Sequence, residues 1–200
     1  MSELFQQQPL ILASGSPIRF KLLQSLGLQF SVIPSHCDEA ALKKEHYSKA
    51  PLDLGFILAA NKALEVSQRY PDHFVIGADQ LCVIDKRILD KPLNHQTATE
   101  HLNLLKDKVH QQIACVCIAH QNKVTWQFHD VAKLSMRNLR SNEIEAYLQS
   151  EKPYQSCGAY QYETQGKWLF KEIHGNQDTI LGLPLLPLAN ALVDVGAVIF

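Results

Sequence analysis

Apolar and polar positions along this chain fall into blocks whose period changes. Leu10-Ile-Leu-Ala13 is an unbroken apolar run that stops at Ser14-Gly15-Ser16-Pro17. The pattern predicts a strand over 9–14, a turn of small residues, and a helix over 17–26 that Gly27 ends. Ser16 suits the N-cap, and Pro17 suits the first helical position, where its missing N–H costs nothing. Ile18, Leu22 and Leu26 then recur every fourth residue, a stripe expected to face the core. A short strand over 29–33 ends at Pro34. Leu54, Ile57, Leu58, Ala60 and Leu64 give helical spacing from Asp53 to Arg69. The apolar run Phe74–Ile84 is interrupted by Gly77, Asp79 and Gln80. A helix over 96–105 and strands near 111–120 and 124–135 follow, the strands separated by Gln121-Asn122. Ser141 is placed to cap a helix reaching Gln149, with Glu143 and Glu145 early in it. Strand-like stretches near 157–163 and 168–173 precede a last helix from Pro184 to Val195. Elements alternate at first, then strands cluster. The expected fold is α/β with a mixed central sheet, as a single domain over 1–200.

Composition narrows the function classes. Apolar residues make up 46% of the 200, enough for an ordinary core, and the formal net charge is -1, which supplies no global field for nucleic acid or an anionic membrane. No apolar run approaches a membrane span, and the start of the chain lacks a signal-peptide pattern, so a cytoplasmic protein is expected. Five cysteines without a C-x-x-C pair read as free thiols, with Cys82, Cys115 and Cys117 inside apolar runs. The nine histidines are scattered and read mostly as surface residues.

A few positions stand out chemically. The turn at Ser14–Ser16 presents backbone N–H groups at the positive end of a helix dipole, which suits phosphate, and Arg19 adds a planar charged fork in the first turn. Asp79 sits among apolar neighbours, so its carboxylate requires a cation, donors or an open cleft. It is a candidate general base or metal ligand, against the plainer reading of a strand-end acid in a structural hydrogen bond. Gly77 before it leaves room for another group to approach the backbone. Asp38-Glu39 offers hard oxygen ligands for Mg²⁺, or is a solvated loop pair. Lys91, fixed before Pro92, could reach a phosphate, or could be a surface lysine. Lys62 lies in Ala-Ala-Asn-Lys-Ala, where small neighbours permit close packing, and points into a cleft or to solvent. Glu163 is a strand-end surface acid or an acceptor for a nucleobase edge. Trp126 and Trp168 could stack on a base, although buried packing is commoner. Walker, G-x-G-x-x-G and G-x-S-x-G motifs are absent.

Taken in order, these pieces resemble the Maf family of nucleotide pyrophosphatases: Leu-Ala-Ser-Gly-Ser-Pro-x-Arg at 12–19, Asp38-Glu39, Lys62-Ala63, Ile-Gly-Ala-Asp-Gln at 76–80, Lys91-Pro92, Gly158-Ala159-Tyr160 and Gly182-Leu183-Pro184. The resemblance implies a Maf/ITPase-like fold, a mixed sheet with flanking helices and two lobes around a deep cleft. It implies hydrolysis of nucleoside triphosphates to monophosphate and pyrophosphate with Mg²⁺ or Mn²⁺, and a homodimer. Asp79 matches the family's proton acceptor; Ser16, Arg19, Glu39, Lys62 and Lys91 match its substrate- or metal-binding positions, with Ser14 in the same turn and Asp79 able to share the metal with Glu39. Three positions divide the branches: Arg, Thr and Gln for dTTP and UTP, against Trp, Gln and Glu for 7-methyl-GTP. Here they are Ile18, Gln80 and Glu163, two of three as in the 7-methyl-GTP branch. Ile18 departs from the aromatic, Asp90 stands where Gly is usual before Lys-Pro, and Ser156 stands where the dTTP/UTP branch has Lys. The expected activity is 7-methyl-GTP pyrophosphatase, keeping modified nucleotides out of nucleic acids. The alternatives are a dTTP/UTP pyrophosphatase and a nucleotide-binding cell-division regulator with little activity.

Overall fold

The computed structural model describes residues 6–199. Strand β1 (Leu10–Leu12) pairs in parallel with both β2 (Phe30–Val32) and β3 (Phe74–Ile84), matching Leu10 to Phe30 on one side and to Phe74 on the other. A strand flanked in parallel on both edges is covered on both faces, which explains an apolar run without alternation. Leu10, Ile11 and Leu12 are all buried. Strand β4 (Arg87–Leu89) folds back antiparallel on β3. The long strands β5 (Val109–His120) and β6 (Lys123–Met136) follow, and β7 (Phe170–His174) pairs antiparallel with β6. The order β2-β1-β3-β5-β6-β7, with β4 on β3, is a mixed sheet, as the sequence pattern implied. The left-handed pairs Asp85-Lys86 and Gln121-Asn122 make the turns before β4 and β6.

The chain divides into two compact units. One takes the chain through Asp79, then Ala114–Asp130 and everything from Gly182 on; the other is Gln80–Ile113 with Val131–Leu181. The first unit holds α1 (Pro17–Gln24), α2 (Glu39–Glu45), α3 (Pro51–Arg69) and α7 (Leu185–Asp194). Its core joins Leu12, Leu23, Ile76, Ile118 and Leu188. The side chain that α1 buries fully is Leu23; of the expected stripe, the half-buried Leu22 and Leu26 pack against this core, while Ile18 is half-buried and not part of it. The helix stops at Gln24, so Leu26 lies beyond it and the four-residue spacing is never completed.

The second unit holds α4 (His95–Leu105), α5 (Ser141–Glu151) and α6 (Gln177–Ile180). Its core is built from Ile84, Leu102, Leu134, Leu148 and Phe170 among others. Two local expectations fail here, and one histidine departs from the surface reading given to most of them. Residues 157–163 are not a strand: Cys157–Ala159 is a 3₁₀ turn in which Gly158 has φ 77°, and a Cβ there would lie 2.7 Å from the Cys82 sulfur. The N-cap of α5 is Arg140, not Ser141; the Glu143 carboxylate accepts the Arg140 backbone N–H at 2.7 Å and its guanidinium at 2.6 Å. His110 is a core residue, its Nε2 2.8 Å from the Tyr160 hydroxyl, which also accepts from Gln112 Nε2 at 2.6 Å. Burial pushes that imidazole down to about 4. Trp168 is 79% exposed rather than packed, whereas Trp126 is half-buried and stacks on Phe128.

All five cysteines are free thiols, with Cys82, Cys115 and Cys117 buried as read from their apolar runs. Among the described residues no helix is long and apolar enough to cross a membrane.

Candidate active site

The first unit gathers two clusters of the expected site residues. The first forms where β1 gives way to α1. Ser16 takes the N-cap with extended backbone, and Pro17 is the first helical residue, as the sequence indicated. The Ser16 hydroxyl oxygen accepts the Arg19 backbone N–H at 3.4 Å. The buried Ser14 hydroxyl oxygen accepts from the Ser16 N–H at 3.2 Å and from the Arg19 guanidinium at 3.3 Å. Arg19 Nε donates to the Gly182 carbonyl at 2.9 Å, which fixes the guanidinium over the helix start. A helix dipole's positive end and a permanent cation therefore meet within one turn, the donor set that holds a phosphate.

The second cluster is a charge group built on a buried ion pair. Lys62 on α3 and Asp79 on β3 are 8% and 6% exposed, and the ammonium lies 2.6 Å from Asp79 Oδ1. It also lies 3.1 Å from Oε1 of Glu39, the first residue of α2. Gly77 is the reason α3 can stand so close to β3: a Cβ there would meet the Ala59 carbonyl oxygen at 2.4 Å and the Ala63 Cβ at 2.8 Å. Small residues on both elements let the backbones touch, and Lys62, beside Ala63, is thereby brought to Asp79. The acidic pair before α2 is divided in role. Asp38 is the N-cap and accepts the Ala41 N–H at 2.9 Å, which leaves Glu39 for the lysine. Asp79 Oδ2 makes no hydrogen bond among the described residues. The Cys115 thiol nearby is pushed up to about 12, by burial first and then by the charges of Asp79 and Cys117.

Gln80, Lys91 and Glu163 belong to the second unit. The Gln80 side-chain amide donates to the Ile180 carbonyl and, at 3.3 Å, to that of Thr179. Lys91 is exposed on the loop after β4, and Glu163 is exposed in the turn before the 3₁₀ segment Gln165–Leu169, not at a strand end. Glu163 stands near Tyr147, whose phenol is pushed up by burial and, in smaller part, by the charges of Glu151 and Glu163. Within that unit the three residues share no hydrogen bond with one another among the described residues.

No three His, Cys, Asp or Glu side chains among the described residues form a metal-holding group. The Glu39 and Asp79 oxygens do converge on one cation, the Lys62 ammonium. Carboxylates are hard ligands that suit Mg²⁺, but the ammonium fills the position these two oxygens share, so a divalent cation would take another position on these carboxylates, with phosphates and water as its remaining ligands.

Sequence reasoning did not find that Lys62 and Asp79 pair, although Gly77 and the alanines around Lys62 were its signal. Gly182-Leu183-Pro184 stood out only as a piece of the family resemblance; nothing local indicated that the Gly182 carbonyl, 163 residues away, holds Arg19.

Comparison with known proteins identifies the family. A "Nucleoside triphosphate pyrophosphatase" of Legionella pneumophila (strain Paris) is 60% identical over 198 residues, 99% of both chains. One of the same description from Rhodopseudomonas palustris (strain BisB18) is 40% identical over 187 residues, 92% of this chain and 93% of that one. A HAM1 protein structure from Coxiella burnetii aligns at 13% identity with a TM-score of 0.47, over 94% of this chain and all of the other. The family described as "Maf-like protein" matches residues 9–195, nearly the whole chain and both clusters, so this chain is a member of the Maf family.

Proposed function

We propose that this nucleoside triphosphate pyrophosphatase acts on 7-methyl-GTP, giving 7-methyl-GMP and pyrophosphate. The observation that carries hydrolysis is the buried Lys62–Asp79 pair at 2.6 Å, with Glu39 beside it, in the same unit as the phosphate-binding helix start. Relatives at 60% and 40% identity that bear the name of this activity support the same reading. The choice of base rests on Gln80 and Glu163, the selector types of the 7-methyl-GTP branch. A methylated guanine is cationic and presents N1–H and N2–H donors, which the exposed Glu163 carboxylate can accept. Ile18 lacks the aromatic face of that branch's selector, so the base forgoes a cation–π contact there.

The hydrolytic step is in-line attack of water on the α-phosphorus, with pyrophosphate leaving. Asp79 Oδ2 accepts the water's proton, while Oδ1 stays bound to Lys62. An ammonium has three N–H donors; Asp79 and Glu39 take two, and the third serves a phosphate oxygen. Ser14, Ser16 and Arg19 hold the polyphosphate at the helix start, and Lys91 adds a point charge. Glu39 and Asp79 would hold a divalent cation, Mg²⁺ or Mn²⁺, which neutralises the polyphosphate and its leaving group.

A panel of 7-methyl-GTP, GTP, UTP and dTTP, assayed for pyrophosphate release with Mg²⁺ or Mn²⁺ and with chelator, tests this. The expected result is metal-dependent release with the highest kcat/KM on 7-methyl-GTP. Preference for UTP or dTTP overturns the choice of base, and binding without release overturns the enzymatic reading.

A further inference from the structure

We infer that Tyr154, His95 and Glu145 are positioning residues that set the place of Lys91. The inference rests on the reading of Lys91 as a phosphate ligand.

Lys91 stands on the short loop between β4 and α4. Downstream the loop is held at every residue: Pro92 is buried, Leu93 donates its N–H to the Tyr154 carbonyl at 3.0 Å, and Asn94 caps α4 by accepting the Thr97 N–H at 2.9 Å. Leu93 has φ 61° and a side chain 66% exposed. A leucine in the left-handed region is strained, because its Cβ crowds the following carbonyl oxygen. No burial of its own side chain offsets that strain, so the backbone tie to Tyr154 helps maintain it, together with the buried Pro92 and the Asn94 cap.

Tyr154 is itself held by a chain of polar contacts. His95 Nδ1 lies 3.1 Å from the Tyr154 hydroxyl, and His95 Nε2 lies 2.9 Å from Glu145 Oε2. The other Glu145 oxygen accepts from Gln149 at 2.7 Å, which joins the chain to the outer face of α5. These side chains, with Lys152, line a shallow hollow open to solvent. The arrangement runs from α5 through the first residue of α4 to the segment after α5, and ends on the backbone two residues from Lys91. The contacts close in either protonation state of the imidazole. The Tyr154 hydroxyl donates to a neutral Nδ1 and accepts from a protonated one, while Nε2–H donates to Glu145 in both.

The test is a kinetic cycle on 7-methyl-GTP, or on whichever triphosphate the panel ranks first. Tyr154→Phe removes one hydroxyl, and His95→Ala removes both imidazole contacts; each is made alone and with Lys91→Ala. Melting temperature is followed alongside, and Tyr154→Phe keeps the test available if His95→Ala folds poorly. Each single variant should raise KM about fivefold, with kcat within a factor of two. Neither should raise KM further once Lys91 is alanine. A KM that rises for Lys91→Ala but not for Tyr154→Phe or His95→Ala overturns the positioning role alone. An equal rise with and without Lys91 also overturns it, because the polar chain then acts through general structure. If Lys91→Ala leaves KM unchanged, Lys91 does not hold phosphate, and both readings fall.

Discussion

Gly77→Ala is the perturbation that most directly connects the fold to the chemistry. The added Cβ would sit 2.4 Å from the Ala59 carbonyl oxygen and 2.8–2.9 Å from the Ala63 Cβ and backbone nitrogen. Carbon contacts at rest lie at about 3.5–4 Å, so α3 must move away from β3 by about 1 Å. None of the obstructing atoms is the far end of a flexible side chain, so a rotamer change cannot absorb the clash. Overpacking of this kind costs about 1–3 kcal/mol of stability. Lys62 travels with Ala63, so the 2.6 Å contact to Asp79 opens. A displacement of about 1 Å in a positioned catalytic group lowers the rate about 100-fold. Urea unfolding should report the first effect and pyrophosphate release from folded protein the second. Folded Gly77→Ala protein with wild-type kcat/KM refutes the argument. So does a loss that follows only the unfolded fraction, because misplacement of Lys62 would then contribute nothing.

Other outcomes can be checked independently. Asp79→Asn removes the proton acceptor while Glu39 remains to pair Lys62, so turnover should fall by orders of magnitude with far-UV circular dichroism unchanged; near-wild-type release would remove Asp79 from the mechanism. Glu163→Gln should reduce the preference for 7-methyl-GTP over UTP about tenfold, the scale of one charge-assisted hydrogen bond, as measured by the ratio of kcat/KM values. His110 bears on acid stability. Its folded value of about 4 lies below the ordinary 6.5, so protons bind the unfolded chain first, and stability is lost as pH falls from about 6.5 to 4. That window corresponds to about 3 kcal/mol, and His110→Gln should flatten the urea midpoint across it.

Much of this molecule was legible as sequence because it depends on near neighbours. The Ser16 cap, Pro17 at the first helical position, the Gln121-Asn122 turn and the apolar β1 follow from backbone sterics, capping and burial within a few residues. Errors came where distant packing decided the local form. Cys157–Ala159 turns instead of extending because Gly158 packs against Cys82. His110 lies in the core because Tyr160, fifty residues away, supplies its partner. Trp168 stays in water although its size suggested burial.

The sequence by itself determined which chemical groups the protein brings: a serine-capped helix start with an arginine in its first turn, a lysine among alanines, and a carboxylate in an apolar strand two residues from a glycine. Only the tertiary structure decided that Lys62 and Asp79 form a buried pair with the half-exposed Glu39 beside it, and that Gly182 secures Arg19. The physical reason is that propensity and capping act over a few bonds. An ion pair at 2.6 Å instead requires a helix and a strand to touch, and the space left by Gly77 permits that contact only once both elements have formed and packed.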